Sequence, residues 1–378
     1  MPSLSDQPQT VEGLLELSDG GNGYLRNRSA SYKARAGDPT VPAALVRGAN
    51  LAQGLVLAGT ASTVTQSGRE RVELTHVTSI NGIARSSLEH ATPFPDLVSI
   101  DPYERLSFVR GPADISMRVL DLVAPIGKGQ RGLIVAAPKA GKTTLIEQIA
   151  AGVSANHPDV ELIVVLVDER PEEVTHLRRS IAGEVVAATS DESTEDQLRL
   201  GNLMLDRARR IVESGGDAVL LLDSLTRLGR ASNRGQTGRG KTMSGGVDSR
   251  ALEFPRKFFG AARKIEHGGS LTILATVIVG SGSQMDDVIF QEFKGTGNME
   301  LVLDRRLAEQ RIFPAVDINA SGTRKEEKLF DEWELPRVRA LRRALATLKP
   351  AEAMTRLLKA VEETDSNRTL LERIPLES

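Results

Sequence analysis

The segment at residues 136–143 (AAPKAGKT) is the strongest chemical signal in the sequence. It follows an apolar run and opens a segment with helical spacing, which is the context of a phosphate-binding loop. In such a loop, backbone N–H groups hold phosphate, Lys142 reaches the β- and γ-phosphates, and the Thr143 hydroxyl binds Mg²⁺. Ala136 stands where the general pattern has its first glycine, and a helix start without a ligand is the alternative interpretation. The residues predicted to bind nucleotide here are Ala137, Pro138, Lys139, Ala140, Gly141, Lys142, Thr143 and Thr144.

Two carboxylates follow apolar runs elsewhere in the chain. Asp223 ends the run at 218–222, where it would hold Mg²⁺ through its water shell. An aspartate in this position is also a common helix cap. Glu169 follows the run at 162–167 and could orient or deprotonate the water that attacks a γ-phosphate. The alternative for this acid is a favourable contact with the dipole of the next helix.

From residue 117 onward, short apolar runs alternate with longer segments of helical spacing, which predicts an α/β domain with a mostly parallel sheet. The predicted strands are 132–137, 161–167, 218–222 and 271–279, and the predicted helices are 144–154, 172–181, 195–213 and 336–363, the last one broken at Pro350. Because ligands bind at the carboxyl ends of parallel strands, this fold would bring the loop, Glu169 and Asp223 to one edge.

The N-terminal part of the chain has a different character. Residues 1–10 are polar and predicted to be disordered, and residues 11–83 predict a small all-β domain with glycine-containing turns. Residues 84–116 are rich in proline and predict a linker, and residues 117–378 form the predicted α/β domain with its C-terminal helices.

Composition excludes several classes of site. The 378 residues include 48 Lys+Arg and 50 Asp+Glu, so the net charge of −2 predicts no bulk attraction to nucleic acid or anionic lipid. The absence of cysteine excludes disulfides, thiolate zinc sites, iron–sulfur clusters and cysteine nucleophiles. The polar N-terminus and the lack of an apolar run of about 18–20 residues predict a cytoplasmic protein without a membrane partner.

Several long segments together resemble the Rho family of bacterial transcription termination factors. They occur in the order of the family and cover residues 110–345. The segments are 121–143, 167–175, 221–228, 258–263, 292–300 and 311–327. The resemblance implies a RecA-like P-loop NTPase core preceded by an OB-fold (cold-shock-like) domain. It also implies a homohexameric ring that hydrolyses ATP with Mg²⁺, pulls single-stranded RNA through its centre and acts on the RNA polymerase elongation complex.

The resemblance also assigns roles by position. Lys142 and Glu169 would be catalytic, and Thr143 and Asp223 would bind Mg²⁺ through nucleotide and water. Arg324, in the segment SGTRKEE, matches the arginine finger that acts on the ATP of a neighbouring subunit; without this motif, a surface salt bridge to Glu326 or Glu327 would be expected. Further residues implied in nucleotide binding are Arg170, Arg311 and Phe313, the last as the aromatic ring on which adenine packs.

Two loops of this family line the central channel and contact RNA. The first corresponds to residues 237–247, with Lys241 as the contacting lysine, although a solvated surface loop would have a similar composition. The second corresponds to residues 279–286, in which Ser281, Gly282 and Gln284 are the predicted contacts. The family usually has Lys or Arg where this chain has Gln284, so one positive contact per subunit is missing.

The β domain would correspond to the primary RNA site of the family, which stacks bases on aromatic rings. Tyr24 and Arg26 match the family motif, but Asn22 replaces an expected aromatic residue and Thr40 an expected tyrosine. The first 100 residues contain eight basic and nine acidic residues, so no basic footprint exists there. The sequence predicts an intact ATPase with an altered primary RNA site.

Three functions compete at this stage. The first is an RNA-stimulated ATPase and 5′-to-3′ translocase or helicase that releases nascent RNA from RNA polymerase. The second is a Rho-like paralogue that binds nucleotide and assembles but acts as a regulatory or interaction protein. The third, an ATP-synthase-type subunit, is disfavoured by the segments GTGNME and SGTRKEE. RNA preference, the open or closed state of the ring, accessory factors and a second copy in the host are left open.

Overall fold

The computed structural model describes residues 9–66, 69–84, 92–236 and 244–376. Two sheets organise these residues: a six-stranded sheet in the N-terminal part and a nine-stranded sheet in the remainder. No helix within the described ranges has the length and apolar character needed to cross a bilayer.

The N-terminal sheet closes into a small barrel. Its strands are β1 (Gln9–Leu17), β2 (Gly23–Arg26), β3 (Thr40–Val41), β4 (Val56–Gln66), β5 (Arg69–Ile80) and β6 (Ile83–Ala84). The order is β3-β2-β1-β4-β5-β6. An additional β3–β5 pairing closes the first five strands into a barrel. Leu15, Leu25, Leu57 and Leu74 fill its interior. The barrel, with the short helix α1 (Ala43–Gly48), confirms the predicted OB-like class.

The described N-terminus does not match the predicted disorder of residues 1–10. β1 begins at Gln9, so Gln9 and Thr10 lie in a strand, where they pair with Ala61 and Thr60 of β4. Residues 1–8 lie outside the described ranges. The strand begins earlier than expected because β4 is long enough to pair with these two residues.

The second sheet is mostly parallel. Its strands are β7 (Ser99–Ile100), β8 (Arg131–Ala136), β9 (Val160–Glu169), β10 (Glu184–Thr189), β11 (Asp217–Asp223), β12 (Arg263–Ile265), β13 (Ser270–Ile278), β14 (Met299–Leu303) and β15 (Gly322–Thr323). The main order is β10-β9-β11-β13-β8-β14-β15, in which only the β14–β15 pair is antiparallel. Four of these strands, β8, β9, β11 and β13, confirm the predicted buried runs.

Helices cover both faces of this sheet. They are α2 (Ile115–Val123), α3 (Lys142–Asn156), α4 (Pro171–Ser180), α5 (Thr194–Glu213), α6 (Leu225–Gly235), α7 (Glu253–Phe259), α8 (Gln284–Phe293), α9 (Arg305–Glu309), α10 (Glu334–Ala346), α11 (Pro350–Glu362) and α12 (Asn367–Glu372). The predicted break at Pro350 falls where α11 begins. One apolar core contains residues of α2, α3, α4 and the C-terminal helices, and a second contains residues of α5, α6, α7 and α8. This arrangement confirms the predicted α/β class.

Part of the predicted linker at 84–116 belongs to the second sheet. β7 pairs with β12, and Leu106 and Phe108 are fully buried in the core of the α/β domain. Residues 85–91 lie outside the described ranges. The sequence did not predict this strand, because two residues are too few to show an alternating pattern.

Polar contacts join the barrel to α5 and β10. Arg199 Nη1 lies 2.9 Å from both carboxylate oxygens of Glu16, and Gln53 Nε2 donates to Asp206 Oδ2 at 2.9 Å. The buried Tyr32 hydroxyl donates to Glu184. These contacts fix the barrel against the α/β domain at several points.

Candidate functional site

The predicted phosphate-binding segment forms a loop between β8 and α3. Lys139 and Gly141 have left-handed backbone angles, with φ of 66° and 91°. Gly141 precedes α3 without a side-chain cap, and the first N–H groups of a helix have no acceptor within it. A cleft of about 700 Å³ opens at this loop. Every loop residue predicted to bind nucleotide lines this cleft except Ala140, and so do Arg170 and Phe313.

A second cavity of about 320 Å³ shares Gly141, Thr144 and Phe313 with this cleft. Ala140, Leu145, Leu303 and Phe313 contribute to its walls, so it is suited to an apolar planar group. Phe313 is 47% exposed although it is a large apolar side chain. Arg311, the other residue predicted from this segment, is exposed and lines neither cavity.

Lys142 lies between the two predicted carboxylates. Its Nζ atom is 2.5 Å and 2.7 Å from the two carboxylate oxygens of Asp223, and 3.6 Å from Glu169 Oε1. Thr276 Oγ1 donates to Asp223 Oδ1 at 2.8 Å. Both acids are nearly inaccessible, Asp223 at 2% and Glu169 at 1% exposure. The three residues come together because β9 and β11 are adjacent and parallel and end beside the loop.

Arg227 completes this cluster, and the sequence analysis did not single it out. Its Nη1 atom lies 2.5 Å from Glu169 Oε1 and donates to the carbonyl oxygen of Asp168 at 2.7 Å. It also lines the cleft at the loop. A signal was present, because Arg227 lies four residues after Asp223, in the first turn of a helix that follows the strand directly.

A bulge at the end of β9 aims the Glu169 side chain. Ala188 pairs with Val167 and Thr189 with Glu169, so Asp168 is an extra residue with a left-handed φ of 59°. Gln197 Nε2 contacts both Asp168 Oδ1 and the Thr189 carbonyl at 3.3 Å. The bulge re-orients the strand end toward Lys142.

The pKa of Glu169 is raised to about 7. Burial is the largest cause, the nearby Asp223 carboxylate adds to it, and Lys142 and Arg227 oppose it. Oε2 of this carboxylate has no hydrogen-bond partner among the residues described. A buried carboxylate with a raised pKa and a free oxygen is typical of a general base.

The donor set at the loop fits Mg²⁺ held together with a nucleotide. Thr143 lines the cleft and Asp223 contacts Lys142, which also lines it, and both offer the oxygen ligands that Mg²⁺ prefers. Within the described residues, no group of three or more His, Asp or Glu side chains could hold a metal ion. The protein would therefore need phosphate and water oxygens to complete the coordination.

The second predicted RNA loop lies at the end of β13. Ser281, Gly282 and Gln284 are exposed, and the Ser281 hydroxyl donates to Asp286 Oδ2 at 2.6 Å. Asp286 is fully buried and forms a two-point ion pair with Arg230 of α6, at 2.7 Å and 2.5 Å. The loop is thus attached to the helix that carries Arg227.

The first predicted RNA loop is only partly described, and Lys241 lies outside the described residues. A turn at Ser244–Gly246 is described, and an added Cβ on Gly245 would lie 2.7 Å from the Gln284 carbonyl oxygen. The close approach explains the glycine, whose φ is 70°. The described end of the first loop therefore packs against the second.

Arg324 does not join the Lys142 cluster. Its Nη2 atom donates to the Gly295 carbonyl at 3.0 Å, and it lines a separate polar cleft of about 560 Å³. No ion pair joins it to Glu326 or Glu327 in the described chain; these acids contact Arg339 instead. The salt bridge expected without the family motif is therefore absent.

The barrel residues predicted to contact RNA differ in accessibility. Tyr24 is partly exposed, and the Arg26 guanidinium lies 4.7 Å from the centre of its ring. Arg26 is 8% exposed, with Nε 2.5 Å from Glu16 Oε2 and Nη1 2.6 Å from Asp38 Oδ2. Asn22, which replaces the expected aromatic, accepts from the Ala43 N–H at 3.0 Å. The ion pairs account for Arg26 without any ligand.

Two family models match the chain. Residues 116–323 match the ATP synthase alpha/beta family, nucleotide-binding domain, and residues 11–85 match the Rho termination factor, RNA-binding domain. A solved ATPase from the type III secretion system of pathogenic bacteria has a similar fold, with a TM-score of 0.63, 22% identity, and coverage of 80% of this chain and 93% of that one. A nucleotide-binding ATPase domain and an RNA-binding domain thus occur in one polypeptide.

Curated relatives match over nearly the whole chain. The transcription termination factor Rho of Micrococcus luteus is 48% identical across 97% of this chain, which spans 54% of that relative. Those of Streptomyces coelicolor and Aquifex aeolicus are 47% and 46% identical, and this chain spans 88% and 84% of their lengths. The chain therefore belongs to the transcription termination factor Rho family.

Proposed function

We propose that this protein is an RNA-stimulated ATP hydrolase that moves 5′-to-3′ along single-stranded RNA and terminates transcription by releasing nascent RNA from RNA polymerase. The observation that carries the proposal is that Asp223 and Glu169 meet at Lys142, which lines a cleft at the phosphate-binding loop. Family membership supports a role in transcription termination, and the proposed function would be carried out in the cytoplasm.

Nucleotide binding begins with the loop. The N–H groups at the start of α3 and the ammonium of Lys142 would hold the phosphates, so Lys142 exchanges its contact with Asp223 for phosphate oxygens. Thr143 and Asp223 would hold Mg²⁺, which neutralises charge on the phosphates. Arg170 lines the same cleft, Phe313 offers its ring to the base, and Arg311 would act at a subunit interface.

Glu169 would orient the attacking water and accept its proton. Its raised pKa makes it a better base than an ordinary carboxylate, yet it is still ionised in a large fraction of molecules at neutral pH. Arg227, which pairs with this carboxylate and lines the cleft, would stabilise charge that develops on the phosphoryl group.

A homohexameric ring would supply the remaining cation. Arg324 lies in a cleft that shares no residue with the one at the phosphate loop, which supports a role on the nucleotide of a neighbouring subunit. A guanidinium that arrives in trans stabilises transition-state charge only after assembly. Hydrolysis would then depend on ring formation.

RNA would be gripped by the two loops that contact each other near Gln284. Ser281, Gly282 and Gln284 lie on the exposed side of the second loop, and Lys241 is the predicted cation of the first. The Ser281–Asp286–Arg230 contacts connect this loop to α6. A displacement of the loop by moving RNA would therefore be transmitted through α6 to Arg227 and Glu169.

The test is steady-state ATP hydrolysis by the purified protein, with and without long cytosine-rich RNA, over a salt series. We expect strong stimulation that declines with salt, and no turnover in Lys142→Ala. Unstimulated or absent turnover of the unsubstituted protein would contradict the proposal.

A regulatory Rho-like paralogue is the second candidate. The burial of Arg26 in ion pairs and the neutral Gln284 favour it, because both reduce the positive charge offered to RNA. ATP binding and hexamer formation without RNA-stimulated turnover would support this candidate over the first.

A further inference from the structure

The segment around Arg324 is fixed at the edge of the second sheet. Gly322 and Thr323 form β15, which pairs with Glu300 and Met299 of β14. The Arg324 N–H continues this pairing by donating to the Asn298 carbonyl at 2.8 Å. Among the described residues the guanidinium donates one hydrogen bond, to the Gly295 carbonyl at 3.0 Å, so its direction depends on the backbone that carries it.

Arg342 of α10 contacts this segment on both sides of Arg324, at a backbone carbonyl before it and at a side-chain carboxylate after it. Its Nη2 atom donates to the Ser321 carbonyl at 2.5 Å, three residues before Arg324. Its Nη1 atom lies 3.4 Å from Glu326 Oε2, two residues after Arg324. A single guanidinium therefore bridges the two flanks of the segment.

The flank before Arg324 is shaped around this contact. Ser321 is 3% exposed, and its hydroxyl accepts from Val302 N–H at 2.9 Å and donates to the Asp317 carbonyl at 2.6 Å. An added Cβ on Gly322 would lie 3.2 Å from Arg342 Nη2. A side chain at position 322 would therefore press on the Arg342 guanidinium, which would have to shift by a few tenths of an ångström.

We propose that Arg342 is a positioning residue for Arg324: it holds residues 321–326 so that Arg324 is presented to the nucleotide of a neighbouring subunit. This inference rests on the proposed function, and it assigns to the C-terminal helix α10 a part in hydrolysis. The planar fork of arginine donates in two directions at once, whereas lysine offers a single ammonium. Small displacements of a catalytic group reduce rate strongly, which makes the bridge consequential.

The packing of α10 separates this role from folding. Val338, Leu341 and Leu345 bury the apolar side of the helix in the core, so removing Arg342 leaves that attachment intact. Arg343, the next residue, is exposed and has no hydrogen bond or ion pair among the described residues. Arg343→Ala is therefore a matched control for Arg342→Ala.

The first experiment compares RNA-stimulated ATP turnover in Arg342→Ala, Arg342→Lys and Arg343→Ala. We expect Arg342→Ala to lower kcat about 10- to 100-fold with KM for ATP changed by less than about threefold, because ATP binds at the other cleft. Arg342→Lys should be intermediate and Arg343→Ala normal, with hexamers unchanged in sedimentation velocity. Equal kcat in the two alanine variants, or loss of hexamers in Arg342→Ala, would overturn the inference.

The second experiment mixes subunits. Lys142→Ala subunits lack a nucleotide site but keep Arg342 and Arg324, so mixed rings should restore turnover at Arg342→Ala sites that face them. Arg324→Ala mixed with Lys142→Ala is the positive control. If the control recovers and the Arg342→Ala mixture does not, Arg342 acts on the nucleotide site of its own subunit, and the inference is wrong.

Failure of the proposed function has a different signature. If the unsubstituted protein hydrolyses no ATP with RNA, the proposed function fails. If it hydrolyses ATP but the Arg324→Ala mixture does not recover, action in trans is wrong, and the positioning role of Arg342 falls with it.

Discussion

Basic side chains meet carboxylates in both the nucleotide cleft and the N-terminal barrel, but with opposite results. Beside about 700 Å³ of open volume, Lys142 contacts Asp223 and Glu169, and Arg227 pairs with Glu169, whose Oε2 has no hydrogen-bond partner among the described residues. In the barrel, Arg26 is enclosed by Glu16 and Asp38 and is 8% exposed. Charges that converge on a cavity can exchange partners for a ligand, whereas charges that enclose each other stabilise the fold.

The largest effect is expected for Arg324→Ala. Because this arginine would act on a neighbouring nucleotide, its loss should lower turnover roughly 10³- to 10⁵-fold while ATP binding and hexamers are retained. Turnover, nucleotide affinity and sedimentation are measured together. Arg356→Ala, an exposed arginine of α11 paired with Glu352, is the control. Normal turnover of Arg324→Ala would remove this residue from the catalytic site.

Glu169→Gln should follow, with turnover lower by about 10²- to 10⁴-fold because the base is lost. ATP affinity should change little, since the amide keeps the shape of the side chain. Glu172→Gln, in the exposed first turn of α4, is the matched control. If both variants hydrolyse ATP equally well, the base must be sought elsewhere in the cleft.

Arg26→Ala tests whether the enclosed ion pairs of the barrel stabilise the fold. Removing Arg26 takes from Asp38 its buried ion-pair partner and leaves Glu16 with Arg199 alone, so the free energy of unfolding should fall by about 3 kcal/mol. Arg28→Ala, whose side chain is 66% exposed, should change it by less than about 0.5 kcal/mol. Urea denaturation and RNA affinity are measured on both variants. A large loss of RNA affinity without loss of stability would break the contrast between barrel and cleft.

The pH dependence of turnover sharpens the assignment of Glu169. Its folded pKa is raised to about 7, so the active carboxylate is protonated as pH falls below that value. Turnover should then decrease by about tenfold per pH unit. The residual activity of Glu169→Gln should lack this acid limb. Constant turnover of the unsubstituted protein down to about pH 6 would show that this ionisation does not limit hydrolysis.

The regular parts of the ATPase domain were predictable because their strands are continuous apolar runs. β10 was missed, since Glu184–Thr189 (EVVAAT) begins with an acid and is shorter than a convincing run. The phosphate loop, Glu169 and Asp223 were predictable because each follows a strand in sequence, and parallel pairing brings the strand ends together.

The contacts that decide accessibility were not predictable. Arg26 is held by Glu16 and Asp38, and Arg199 of α5 contacts Glu16 from 183 residues away. No local pattern encodes such a pairing, because it depends on how the barrel docks on the ATPase domain. Arg342 and Ser321 form a similar case, since their contact joins a helix to a sheet edge.

Gln284→Lys is expected to have the smallest effect, and it tests the channel loops directly. Gln284 is exposed at the start of α8, next to Gly245 of the first loop, so a lysine there could reach an RNA phosphate. Each added phosphate contact on a single strand should steepen the dependence of log K on log salt by about 0.7. The affinity at low salt should rise only severalfold, and Gln310→Lys, an exposed site after α9, supplies the same charge as a control. If the two variants have equal salt dependence, Gln284 does not face RNA. A steeper slope for Gln284→Lys alone would mean that the second loop contacts the strand and that the neutral residue, like the enclosed Arg26, limits the grip of this protein on RNA.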